Sequence, residues 1–117
     1  MKLHKSQQQY IDLAIKEAKK STMNHKHGAV IVKGGIVLAS AYNYNFSHTQ
    51  KHDHSMLSRH AEAEAIIQCK LRNISLKGAD IFVVRLTRSE RNLARSKPCK
   101  DCADFIEENQ FAHVYHS

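Results

Sequence analysis

Tryptophan is absent from this chain of 117 residues, aromatic residues make up only 7% of it, and proline occurs once. With so few rings available, the interior is expected to be aliphatic. Long apolar runs are missing too: Ala29 to Val32 and Ile36 to Ala39 fall far short of the roughly 20 residues a membrane-spanning helix needs. No hydrophobic stretch follows Met1-Lys2-Leu3-His4-Lys5, so a soluble, cytoplasmic protein with no membrane partner is expected. There are no repeats, low-complexity tracts or linkers, and the length suits one domain over residues 1–117. Cysteine is scarce and odd in number. Three thiols do not make a disulfide scaffold, and two of them, Cys99 and Cys102, stand at C-x-x-C spacing, which in a reducing compartment points to metal or redox chemistry.

Hydrophobic residues at 42% and charged residues at 25% are near the globular average, so the chain is expected to fold. Eighteen Lys and Arg against eleven Asp and Glu give a net charge of +7, which favours anionic partners such as nucleotides or nucleic acid. The same charge also serves as a solubilising surface.

Tyr10, Ile11, Ala14, Ile15 and Ala18 recur at helical spacing, predicting an amphipathic helix over 7–20 with Ser6 and Gln9 as a capping box. Two β-branched runs separated by Lys33-Gly34-Gly35 predict a tight antiparallel hairpin. From Asn43 to Ser58 the chain turns polar and His-rich, which predicts a long loop. A second helix is expected over 61–72 with Ser58 as N-cap, and a buried strand over 81–86. A basic loop, 87–97, then leads to a helix opened by Pro98 and ended at Asn109 in a left-handed cap, and a strand over 112–115 closes the chain. Strands alternating with helices in the second half predict right-handed crossovers and parallel pairs beside the hairpin. Cys69, on an Ala/Ile-rich helix, reads as a buried apolar residue.

The chemistry concentrates in His60-Ala61-Glu62 and Pro98-Cys99-Lys100-Asp101-Cys102. Catalytic zinc sites keep three protein ligands and leave the fourth position to water. His60, Cys99 and Cys102 supply three. Glu62, two residues from His60 and a hard carboxylate beside two thiolates, is a poor fourth ligand and a natural proton carrier. Both segments open predicted helices, whose N-terminal partial charge favours thiolates. Alone, C-x-x-C could be a redox pair or half of a structural zinc site, and H-x-E means little; the combination is what points to a catalytic Zn2+.

These two motifs resemble the signature of the zinc-dependent cytidine and deoxycytidylate deaminase superfamily. Lys26 to Val32 with Gly35 and Ala41-Tyr42-Asn43 is similar to that family's first hairpin, and Val114 to Ser117 to its fourth strand, so the likeness runs over about residues 6–117. The resemblance implies a three-layer α/β/α cytidine-deaminase-like fold with a mixed sheet of about four strands, truncated at the C-terminus. It implies a hydrolase that replaces an exocyclic amine by oxygen: zinc hydroxide attacks C4 of cytosine, or C6 of adenine, while Glu62 shuttles the proton. Carried over by position, Asn43 contacts the sugar, and the backbone at Ala61 and Lys97 the base edge; Asn43 could equally cap a turn. Departures from the pattern are Ala41 in place of the usual Gly before Tyr-Asn, and Asn109-Gln110 where relatives often carry Gly.

The leading expectation is a deaminase of a cytosine-type nucleoside or nucleotide. The alternatives are a deaminase acting on a base within nucleic acid, tRNA adenosine or single-stranded cytosine, for which Tyr42, Tyr44 and Phe46 could stack bases, and a non-catalytic zinc-binding module. His48, His52 and His54 read as solvated or substrate-contacting loop residues rather than a second metal site, and His25 and His27 as surface residues. A homo-oligomer is expected from the resemblance and the small size.

Overall fold

The structure is a computed structural model that describes residues 5–45, 58–90, 92–96 and 100–117. Among these residues three helices and seven strands follow in the order α1 (Lys5–Ala18), β1 (Lys26–Lys33), β2 (Ile36–Tyr42), β3 (Tyr44–Asn45), β4 (Ser58–Arg59), α2 (Ala61–Leu71), β5 (Asp80–Leu86), β6 (Leu93–Ala94), α3 (Lys100–Glu108) and β7 (His113–His116). The expected hairpin is β1 and β2, paired antiparallel from Gly28↔Tyr42 to Lys33↔Ile36. Gly34 and Gly35 both take positive φ, 59° and 78°, the combination that lets a two-residue turn follow the twist of its strands. A bulge between Ile31 and Val32 shifts the register of β2 at Leu38.

The main sheet has five strands, with β2, β1 and β5 side by side. Along its other edge β5 carries two partners: β7, parallel, at Asp80 to Val83, and β6, antiparallel, at Arg85 and Leu86. The sheet is mixed as expected, but only β5 and β7 form a parallel pair among the described residues. The α2 crossover sets β5 against β1, antiparallel from Lys26↔Leu86 to Val32↔Asp80.

Alternation along the central strands divides the core in two. Val30, Val32, Phe82, Val84 and Leu86 meet Ile11, Ala14 and Ala18 of α1. Phe82 stacks on Tyr115 with ring centroids 4.6 Å apart and touches Tyr10 at 5.4 Å. On the opposite face Ala29, Ile31, Ala39, Ala41, Ile81 and Val83 pack under Ala61, Ala65, Ile66 and Cys69 of α2 and Ile106 of α3. These two cores make three layers, α1 over one face, α2 and α3 over the other. Full burial of a side chain such as Ile31, Ile66 or Ile81 contributes about 1.5–3 kcal/mol each. Layer spacing is tightest at Gly28, where a Cβ would fall on the Ala14 carbonyl oxygen and 2.7 Å from the Ala18 nitrogen.

Element ends depart from expectation in several places. Helix α1 already includes Lys5, so Ser6 lies inside its first turn instead of capping it. Residue 110, not Asn109, takes the left-handed conformation after α3, with φ 58° at Gln110, while Asn109 Nδ2 donates to the Phe105 carbonyl at 2.7 Å. The stretches expected as loops contain short pairings: β3 with β4 at the base of 46–57, and β6 within the basic segment.

Candidate active site

Helix α2 begins at the surface end of the layer it forms with α3. His60 is its N-cap, with extended φ −72° and ψ 148°, while Ser58, expected in that position, belongs to β4. The His60 carbonyl accepts the Glu64 N–H at 3.0 Å, and its imidazole makes no capping bond. That ring instead meets α3: His60 Nδ1 lies 3.2 Å from Cys102 Sγ. Glu62 sits in the first turn of α2, 3% exposed, and one donor atom from each of His60, Glu62 and Cys102 falls within 4.8 Å of the others.

The donor set fits zinc. A tetrahedral zinc with one nitrogen and one sulfur ligand at ordinary bond lengths holds them roughly 3.5 Å apart, near the spacing found here. Imidazole and thiolate are the ligand types zinc prefers, and Cys102 is buried. His60 and Cys102 could hold the ion; Cys99, the third expected ligand, lies outside the described residues, as do Lys97, Phe46, His48, His52 and His54.

Burial pushes the Glu62 carboxyl above its ordinary pKa, while its own backbone N–H, His60 and Cys102 pull it back. A carboxyl so placed keeps its proton to higher pH than an exposed one. Ala61, fully buried, presents its backbone at the same helix start. Asn43, 6% exposed, is held by backbone: Oδ1 accepts the His27 N–H at 2.8 Å, and Nδ2 donates to the His25 carbonyl at 2.6 Å. Its carboxamide thus closes the gap where β1 and β2 diverge. The Tyr44 hydroxyl donates to Glu64 at 3.2 Å, and its ring meets Tyr42 edge to face.

Three further residues border this centre. His27 pairs with Arg85 across β1 and β5, and its pKa is lowered to about 4, first by burial and then by Arg85, His60 and His25. Arg85 Nη2 donates to His25 Nδ1 at 2.7 Å. One signal could have found Arg85: it is the single charged residue in the apolar run Ile81 to Leu86. Ser96, 2% exposed, donates to the Val83 carbonyl at 2.9 Å and so anchors the chain just before Cys99.

Residues 4–117 match the family described as the cytidine and deoxycytidylate deaminase zinc-binding region. The chain belongs to the cytidine and deoxycytidylate deaminase family. No curated protein matches it by sequence. Among solved structures it is similar to the dCMP deaminase of cyanophage S-TIM5 in its apo form, at 25% identity and TM-score 0.73, over 99% of this chain and 84% of that one. The same phage enzyme in complex with dCMP and dUMP superposes with TM-score 0.77 at 22% identity, over 99% and 83% of the two chains. A tRNA:A34 deaminase, from a study of A-to-I editing at the wobble position of transfer RNA, gives TM-score 0.62 at 24% identity, over 94% and 75%. The deaminase fold is therefore shared along nearly the whole chain, and zinc is the cofactor that the family's region and the His60, Glu62 and Cys102 cluster fit. No helix among the described residues of this deaminase-family chain is long and apolar enough to cross a membrane.

Proposed function

We propose that this member of the cytidine deaminase family is a zinc-dependent hydrolase that converts a cytosine-type nucleoside or nucleotide to the uracil compound, with residues 1–117 acting as one domain. The observation that carries the reading is the buried Glu62 carboxyl beside His60 and Cys102. His60, Cys99 and Cys102 would hold the metal. Zinc bound there supplies Lewis acidity, which brings the pKa of a water down to about 7. Glu62 takes a proton from the attacking water and delivers it to N3 of the ring as the water oxygen bonds to C4. It then passes the second proton to the exocyclic nitrogen, so the C4–N bond breaks and ammonia leaves. Its raised pKa suits both halves of that relay. Ala61 and Lys97 would meet the base edge through their backbone, and Asn43 the sugar, through the acceptor capacity its Oδ1 keeps beyond the His27 N–H. A reducing cytoplasmic setting agrees with the use of cysteine as a metal ligand.

The second reading, a base within nucleic acid as substrate, draws on the net charge of +7. Ammonia release from zinc-loaded protein separates the two: turnover of cytidine, deoxycytidine or their monophosphates supports the first, and turnover confined to oligonucleotides the second. Zinc bound without turnover of any of these, guanine and adenosine included, would leave a zinc-binding module.

A further inference from the structure

Among the described residues, Arg85 is a cation without an anion. It stands on the sheet face that carries Ile81 and Val83 toward α2 and α3, opposite His27, at the strand end where His60 and Cys102 meet. Its one side-chain partner is a neutral acceptor, His25 Nδ1, at 2.7 Å. Among the described residues no carboxylate pairs with it, and its Nε is shielded from solvent with no hydrogen-bond partner. The neighbours do not offset the charge: neither His27 nor His25 can carry a negative one, and Lys26 is matched by Glu90 at 3.4 Å. A partly buried guanidinium with an enclosed, unpaired N–H is costly, and a chain that keeps one on the sheet face that carries the His60 and Cys102 pair leaves a place for an oxyanion. With Nδ1 accepting, His25 holds its own proton on Nε2, a further donor at the exposed rim.

We propose that Arg85, with His25 at its side, is the phosphate-binding element of the deamination site, so that the substrate is a nucleoside 5′-monophosphate and not the free nucleoside. This rests on the deaminase reading above. Guanidinium forks match the oxygens of a phosphate better than any other side chain. A terminal phosphate, not a nucleic-acid backbone, suits the place. One guanidinium with one imidazole N–H beside it makes a compact anion site, and Lys20 and Lys26, which could extend it into a track, are tied to Glu17 and Glu90.

The test compares zinc-loaded wild type with Arg85→Gln and Arg85→Lys on dCMP, deoxycytidine and a cytosine-containing oligonucleotide, with ammonia as the readout and thermal melting to check the fold. Wild type is expected to prefer dCMP over deoxycytidine. Arg85→Gln should lower kcat/KM for dCMP about 10- to 100-fold more than for deoxycytidine, chiefly through KM, with Arg85→Lys recovering part. Equal use of both compounds by wild type, a preference that survives Arg85→Gln, or activity only on the oligonucleotide overturns the phosphate assignment while leaving a deaminase. Should Arg85→Gln not fold, His25→Gln replaces it, with a smaller loss in the same direction expected. Silence on every compound overturns the deaminase reading instead, and calorimetric titration with inorganic phosphate then decides: binding to wild type that Arg85→Gln loses supports the anion site, and no binding to wild type overturns it.

Discussion

His60 Nδ1 and Cys102 Sγ, 42 positions apart in the chain, stand 3.2 Å from each other at the starts of α2 and α3. Sequence-distant donors reach that spacing because both helices cover the same sheet face, over Ala29, Ile31, Ile81 and Val83, and begin at the same strand end.

Metal content should follow that pairing. Cys102→Ser is expected to lose most bound zinc by elemental analysis and to melt at lower temperature, since the metal ties two helices together. Cys99→Ser should do the same. Full zinc occupancy in either variant would remove that residue from the ligand set.

Glu62→Gln should keep zinc and fold and release no ammonia. The metal-free protein carries a second signature. Because burial raises the folded pKa of Glu62 above its unfolded value, the stability linked to this group is complete below the unfolded pKa and is lost as pH rises through the folded one. Denaturant melts of apo wild type should show that decline and apo Glu62→Gln should lack it; parallel profiles would contradict the burial account.

His27 works in the opposite direction. Its folded pKa, about 4, lies below the ordinary 6.5, so its contribution is present above pH 6.5 and is lost as pH falls toward 4. The His27 ring should titrate in NMR with a midpoint near 4, well below the ordinary 6.5. A midpoint near 6.5 would mean that the ring is solvated.

Gly28→Ala is expected to destabilise the fold by more than about 3 kcal/mol, or to abolish soluble expression, because the added methyl collides with backbone of α1 and not with a side chain that can turn away. Gly78→Ala is the control. Its Cβ has open space, and the cost there is only that of φ 79°, about 1 kcal/mol. Equal losses would show that α1 can lift from the sheet.

Much of this fold was legible in one dimension. The period of Ile11, Ala14 and Ala18, the Gly34-Gly35 turn and the apolar run from Ile81 report local preferences that tertiary contacts then reinforce. Leu93-Ala94 and Tyr44-Asn45 were not, because two-residue strands have no period to read and exist only where a partner passes. Parallel and antiparallel neighbours were equally beyond reach: alternating strands and helices do not say that β5 inserts beside β1.

The ligand types, the carboxylate at two residues' distance and the helix starts that carry them are properties of sequence, since they depend on residue chemistry and on spacings within one turn. Convergence was decided by the fold alone. Only packing of α2 and α3 on one face brings His60 to Cys102 and buries Glu62 enough to raise its pKa. Only the β1–β5 register sets His27 opposite Arg85, because pairing between strands is fixed by hydrogen bonds and burial across the sheet and leaves no mark on either strand by itself.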